Sequence, residues 1–338
     1  MLKKLTCLMA MIAVFGLATV SLADDCAHRG ALDAAYCDEN HDLVADAPKD
    51  PAQYKDPSTL VFTYTPVEDP AVYQDAFAEF QAFLEERTGK RVIYYTVQSN
   101  AAEVEAMRSG RLHIAGFSTG PTCYAVNLSG YVPIAVKGYE DEFQGYRLLL
   151  ITHKDSDIKS IEDLKGKRVA HTSASSNSGN LAPRALFPKL GLIPDEDYTV
   201  VYSGKHDQSI LGVAYGDYDA APVAGDVYKR MVKAGRVDEN DIRIIWQSEQ
   251  FPTSSFGYAH DLNPELVEKI VKAFYDYRFP PEMQKTFGGA DRFFPVTYEK
   301  DWAIIRDIAD ANGEHFNQES FEAVTKKEAE AKAKKAAK

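Results

Sequence analysis

The sequence predicts an α/β fold divided into two sub-domains, and three observations carry that expectation. After residue 58, runs rich in β-branched and aromatic residues alternate with stretches of helical period, which implies βαβ units and a mostly parallel sheet. The composition is globular, with 45% hydrophobic and 26% charged residues. At 338 residues the chain is longer than one core usually fills.

The elements follow in order. Leu60 to Thr65 reads as a strand. Pro70 opens a helix with Tyr73, Phe77, Phe80 and Leu84 on one face, ending at Gly89. Val92 to Val97 is a second strand. Asn100 with Glu103 forms a capping box for a short helix that stops at Gly110. Leu112 to Phe117 is a third strand. Tyr146 to His153 is a long apolar strand, and Arg168–His171, Thr199–Tyr202 and Tyr218–Val223 are short ones, each before a helical pattern. Ile242–Trp246 and Phe256–His260 follow. Asn263-Pro264 caps a helix carrying Leu266, Ile270 and Phe274 on one face. Residues 24–57 are acidic and aperiodic, an N-terminal extension. The tail 326–338 contains only Lys, Glu and Ala and is expected to be a solvated helix or frayed end.

The ends of the chain bear on its location. Lys3 and Lys4 precede an apolar stretch from Leu5 to Leu17, and Ser21-Leu22-Ala23 supplies small residues before a cleavage point. This is the pattern of an export signal cut after Ala23. Cleavage removes two lysines and no acids, leaving 36 Lys and Arg against 50 Asp and Glu over 315 residues. An exported Cys26–Cys37 pair suits a small disulfide loop. Cys123 is then odd and reads as a buried small hydrophobe. No C-x-x-C pair or His-rich cluster suggests a metal, and no cofactor is expected. A chain this acidic is a poor tracker of nucleic-acid backbones.

Three constellations could carry chemistry. Gly116-Phe117-Ser118-Thr119-Gly120-Pro121 lies between a strand and a helix, where free backbone N–H groups and the helix dipole favour an anion. His171-Thr172-Ser173-Ala174-Ser175-Ser176-Asn177-Ser178-Gly179 has the same placement, and so many hydroxyls need either water or a shared oxyanion as partner. The third joins Ser203-Gly204-Lys205-His206 to Asp226; both His206 and Asp226 follow strands, at positions that face a cleft in open α/β sheets. Gly116 to Gly120 also matches G-x-S-x-G, so a secreted serine hydrolase with Ser118, Asp219 and His260 is a second reading. Only two strands precede that elbow, and no oxyanion loop lies upstream.

Together these segments resemble the phosphate-, phosphite- and phosphonate-binding proteins of bacterial ABC importers, over residues 58–290. The most specific pieces are HTSASSNSGNLAPRALF (171–187) and YSGKHDQSILGVAYGDYDAAPVAGDV (202–227). The resemblance implies a two-lobed periplasmic binding protein of type II. Its lobes would be 58–150 with 254–325, and 151–253. Two strands near Ile151–Lys154 and Thr253–Tyr258 would form the hinge. It assigns oxyanion binding to Ser175, Ser176, Asn177 and Ser178, and ligand contacts to His206, Asp226 and Tyr64. Ser118 falls where some relatives place an aromatic contact, and Thr119 and Gly120 beside it are ligand-binding candidates at the same helix start. One departure stands out: aminoalkylphosphonate binders carry an acid where this chain has Ser254, which leans the ligand toward phosphite, methylphosphonate or a similar small oxyanion. The pocket so drawn holds no Arg and no certain Lys, and Asp226 would favour a ligand that keeps a proton. The implied partner is an inner-membrane permease and the implied state a monomer; a sensor module would read the same in sequence.

Overall fold

The computed structural model describes residues 26–69 and 71–336. The export signal and Pro70 lie outside them. The strands, in chain order, are β1 (Thr59–Tyr64), β2 (Arg91–Tyr94), β3 (Ile114–Gly116), β4 (Tyr131–Gly138), β5 (Gly145–His153), β6 (Arg168–His171), β7 (Thr199–Tyr202), β8 (Ala220–Ala224), β9 (Ile242–Pro252), β10 (Ser255–Ala259) and β11 (Arg292–Pro295). They form two sheets, ordered β11-β4-β10-β3-β1-β2 and β7-β6-β8-β5-β9. Among the described residues no helix is long and apolar enough to cross a membrane.

Both sheets are mixed rather than mostly parallel. β1 is parallel to β2 and β3, and β6 to β7 and β8. β10 pairs antiparallel with β3 and β4, β11 with β4, and β5 with β8 and β9. Connectivity is the cause. β5 and β9 bring the chain into and out of the second sheet in opposite directions, and β10 then enters the first sheet against the run of β3. The alternation of strand and helix patterns does not register such returns.

The first crossing also lies elsewhere than expected. The first sheet ends at Gly138 and the second begins at Gly145, so the chain crosses at 139–144 and not at Ile151–Lys154. The return falls at Thr253–Ser254, between β9 and β10. Residues 145–150 therefore belong to the second sheet. The apolar run from Tyr146 is one unbroken strand, paired on both sides, and it ends at His153.

Two strands escaped the sequence pattern. β4 contains Pro133 and Lys137, which interrupt its apolar run. Pro133 sits opposite Gly257, beside a register irregularity between Phe256 and Gly257; proline is tolerated at such irregular positions. β11 is only four residues long.

The predicted helix after β1 is broken into Ala71–Gln74 and Ala78–Thr88, yet Tyr73, Phe77, Phe80 and Leu84 are all fully buried. It closes at Gly89, whose φ of 69° is the left-handed cap. Asn263 accepts from the Glu265 N–H at 2.9 Å, and Leu266, Ile270 and Phe274 are buried below it. The extension docks on the first lobe: the Asp33 N–H donates to the Asn127 carbonyl at 2.7 Å and Lys55 N–H to Asp261 at 2.7 Å. Cys26 and Cys37 are joined in a disulfide. Cys123 is buried, and burial pushes its thiol up to about 12.

The tail differs from expectation. A helix runs from Gln318 to Ala336. Phe321 is buried against Tyr124 of the first lobe. Glu328 Oε1 accepts from the Ser175 hydroxyl at 2.8 Å, in the second lobe. Glu328 shares a helix face with the buried Phe321 and Val324 and has a protein partner, which a count of apolar residues after Lys326 cannot foresee.

Candidate ligand-binding site

Loops from both lobes enclose a cavity of about 50 Å³. That is room for about four water-sized groups. Of the sequence-predicted residues, Tyr64, Ser118, Thr119, Ser176, Asn177, His206, Asp226 and Ser254 line it; Gly120, Ser175 and Ser178 do not.

From the first lobe, β3 leads into the helix Thr119–Ser129 with Ser118 as its cap residue. The Thr119 and Gly120 N–H groups in the first turn have no intrahelical acceptor. The Thr119 hydroxyl donates to the Pro252 carbonyl at 2.9 Å, which ties this turn to the return crossing. Gly120 is a point of contact between lobes: a Cβ there would come inside 3.0 Å of the Ser175 carbonyl oxygen and within 3.1 Å of the Asn177 nitrogen.

From the second lobe, β6 leads into a π-helical turn, Asn177–Leu181. The Ser176 hydroxyl oxygen accepts from the Gly179 N–H at 3.2 Å. Asn177 Nδ2 donates to the Tyr146 hydroxyl at 3.1 Å. Ser178 is buried behind this turn. Ser175 faces outward to Glu328 and to Asn100, whose Nδ2 lies 3.1 Å from its hydroxyl. His171 is held by Asn180 and Tyr198, each at 2.9 Å, and lies outside the cavity.

His206 starts the helix His206–Ala214 after the Ser203-Gly204-Lys205 turn, where Gly204 takes a φ of 104°. Its backbone N–H crosses the cleft to the Val67 carbonyl at 3.2 Å. The Ala224 N–H donates to Nδ1 at 3.1 Å. That fixes the neutral tautomer with the proton on Nε2, which lies 3.4 Å from Ser176 Oγ. Burial lowers His206 to about 4. Ser176 Oγ then has two donors pointed at it, so its own hydrogen is free for the cavity.

Asp226 opens the helix Gly225–Lys233. Burial alone would raise its carboxyl, but Arg230 and Lys137 outweigh that and hold it below the ordinary range. Arg230 Nη1 lies 2.9 Å from Asp226 Oδ2, and Nη2 lies 2.8 Å from Glu68 Oε1 in the first lobe. Tyr73 also donates to Glu68, at 2.6 Å. The expectation of a site without Arg or Lys is therefore corrected. Lys205 lines the cavity, Lys137 donates to Tyr64 at 2.8 Å, and Arg230 backs Asp226. Lys137 and Arg230 were invisible because each acts through one intervening side chain.

Asn100 and Tyr146 are cavity residues that sequence reasoning missed, and Lys205, part of the third constellation, was given no ligand role. Asn100 was read as a helix cap, but Ser99 does that work, accepting from the Ala102 N–H at 3.2 Å. A Ser directly before the Asn was the available signal. Glu103 is buried rather than capping, and burial drives its carboxyl well above the usual range.

The hydrolase triad does not assemble. Asp219 accepts from the Arg168 N–H at 2.7 Å at the edge of the second sheet. His260 packs edge-on against Tyr36 of the extension, and neither residue lines the cavity that holds Ser118. Among the described residues no group of three or more His, Cys, Asp or Glu is placed to hold a metal.

Known proteins match this chain. A family profile described as ABC transporter, phosphonate, periplasmic substrate-binding protein covers residues 62–302. The phosphate-import protein PhnD of Mycolicibacterium smegmatis is 28% identical over 273 residues, 76% of this chain and 83% of its own length. The phosphonates-binding periplasmic protein of Escherichia coli is 24% identical over 203 residues, 59% of this chain and 60% of its own. In structure, PhnD1 of Prochlorococcus marinus in complex with methylphosphonate superposes with a TM-score of 0.69 at 18% identity, covering 77% of this chain and all of that one. The two-lobed fold and a profile match across most of its length place this chain in the family of periplasmic substrate-binding proteins of ABC phosphonate transporters.

Proposed function

We propose that this chain, exported by cleavage after Ala23, closes its lobes on a small phosphorus oxyanion and delivers it to an inner-membrane permease, as a monomer and without catalysis. The observation that carries this reading is a small cavity walled by hydroxyl, amide and backbone donors from both lobes. The Thr119 N–H group, Ser118, Ser176 and Asn177 are the proposed donors to the oxyanion, with the His206 Nε2–H turned on Ser176 Oγ so that the Ser176 hydrogen faces the ligand. Tyr64 and Ser254 complete the first-lobe side. Ser175 and Ser178 support the turn instead of touching ligand. Asp226, ionised and held by Arg230, accepts the remaining acidic proton of the ligand. Phosphite, methylphosphonate and phosphate all fit that description as monoanions. Calorimetry on ligand-stripped protein with phosphite, methylphosphonate, 2-aminoethylphosphonate and phosphate tests the reading; no heat of binding from any of them refutes it. Mass spectrometry of ligand retained on the native protein identifies which one it carries.

A further inference from the structure

Lys137 is the buried cation that the proposed site leaves unexplained. It sits on β4, 1% exposed, with its ammonium 4.8 Å from the centre of the Phe287 ring and 5.4 Å from that of Tyr64. Among the described residues no carboxylate lies within 4.0 Å of it, whereas Arg230 has two. A buried ammonium with two aromatic faces beside it, attracted by Asp226 only from beyond ion-pair distance, is incompletely compensated. Among the described residues its ammonium makes one hydrogen bond, donated to the Tyr64 hydroxyl at 2.8 Å. Tyr64 in turn lies 3.2 Å from Ser254 Oγ.

The two bonds of this row run in one direction, from Lys137 to Tyr64 and from Tyr64 to Ser254. Lysine donates and cannot accept, so the Tyr64 oxygen is its acceptor. The Tyr64 hydrogen then goes to Ser254, and the Ser254 hydrogen cannot point back. It points into the cavity that Ser254 lines. A positive charge at the root of such a row polarises each bond in the same direction.

We infer that Lys137 is a specificity-determining positioning residue that acts through Tyr64 and Ser254, making this wall of the cavity donor-only and electropositive, so that the site takes small oxyanions without an amine. This rests on the proposed function. An oxyanion oxygen accepts from Ser254 and adds to the partial compensation that Asp226 gives the charge behind it. An ammonium group on the ligand meets a donor where it needs an acceptor, and a like charge one side chain away.

The experiment compares methylphosphonate with 2-aminoethylphosphonate by calorimetry on the full chain. The wild type is expected to prefer methylphosphonate by about 100-fold. Lys137→Met is expected to lose about 10-fold in methylphosphonate affinity and to shrink the preference by about 10-fold; Lys137→Arg should restore it. A preference unchanged in Lys137→Met overturns the inference while leaving the proposed function intact. A wild type that binds neither ligand, nor phosphite or phosphate, overturns both. If Lys137→Met does not fold, Tyr64→Phe cuts the row while leaving the charge in place. It must weaken methylphosphonate about 10-fold, and unchanged affinity overturns the inference.

Discussion

Replacing Gly120 with alanine isolates closure from folding. The added methyl meets backbone on the opposite lobe, the Ser175 carbonyl and the Asn177 nitrogen, so no side chain can swing aside. Ordinary contact begins at 3.4 Å, and the clash lies well inside 3.0 Å. The lobes must therefore stand apart by about 1 Å to reach carbon–oxygen contact distance. Two bonds that span the cleft nearby, Asn100 to Ser175 at 3.1 Å and His206 N–H to Val67 at 3.2 Å, cannot survive that separation. At about 1 kcal/mol each, their loss makes closure weaker by about 2 kcal/mol. That corresponds to an affinity loss of about 30-fold. Each lobe keeps its own core, and alanine is a better helix former than glycine by up to about 1 kcal/mol. The melting temperature of ligand-free protein should hold or rise while calorimetric affinity falls. Affinity within about threefold of wild type, in a folded variant, refutes the closed geometry drawn around Gly120.

Other perturbations test other contacts. Arg230→Met leaves Glu68, 3% exposed, with only Tyr73 and the more distant Arg236 at 4.0 Å in the closed form; this should disfavour closure by about 2 kcal/mol, read as an affinity loss that Glu68→Gln in the same chain partly restores. His206 is held neutral by burial at about 4, below its ordinary 6.5. The unfolded chain therefore takes up a proton that the folded one refuses, and stability present above pH 6.5 is lost as pH falls toward 4. In urea titrations the stability difference between wild type and His206→Asn should shrink by about 1.4 kcal/mol per pH unit across that window; a constant difference excludes the buried neutral imidazole. Cys26→Ser with Cys37→Ser opens a loop whose closure contributes about 3 kcal/mol, so the melting temperature should drop by a few degrees. Ligand affinity should not change, because the disulfide loop packs outside the cleft.

Much of this architecture was legible in local pattern, and the losses have physical causes. β6 and β7 run over the predicted residues because each is a short buried run with sharp ends. β4 hid because Lys137, the least strand-core-like residue in it, is buried by three aromatic and phenolic contacts drawn from distant segments. The three loop–helix junctions could be placed at strand ends, which brought most of the cavity wall into view. What stayed out of reach was pairing across the cleft. Glu68 with Arg230, and Asn100 with Ser175, join residues more than seventy positions apart that share no local signal. The neutral His206 tautomer likewise depends on the Ala224 N–H, a contact created by the sheet alone.

The helix Gln318–Ala336 gives the two lobes a third connection besides the two crossings of the chain. It is rooted on the first lobe by Phe321 and reaches the second through Glu328 and Ser175. The two crossing segments between the sheets form a pivot that permits twisting as well as opening; a contact on a separate element resists the twist. Its strength also enters the resting balance between open and closed forms, since Glu328 must be released to water each time the molecule opens. Binding strength here is the affinity of the cavity multiplied by the closed fraction. One residue that contributes to the second factor, Glu328, lies beyond position 302, outside the stretch this chain shares with its family profile. Relatives can thus present the same cavity and still work at different ligand concentrations.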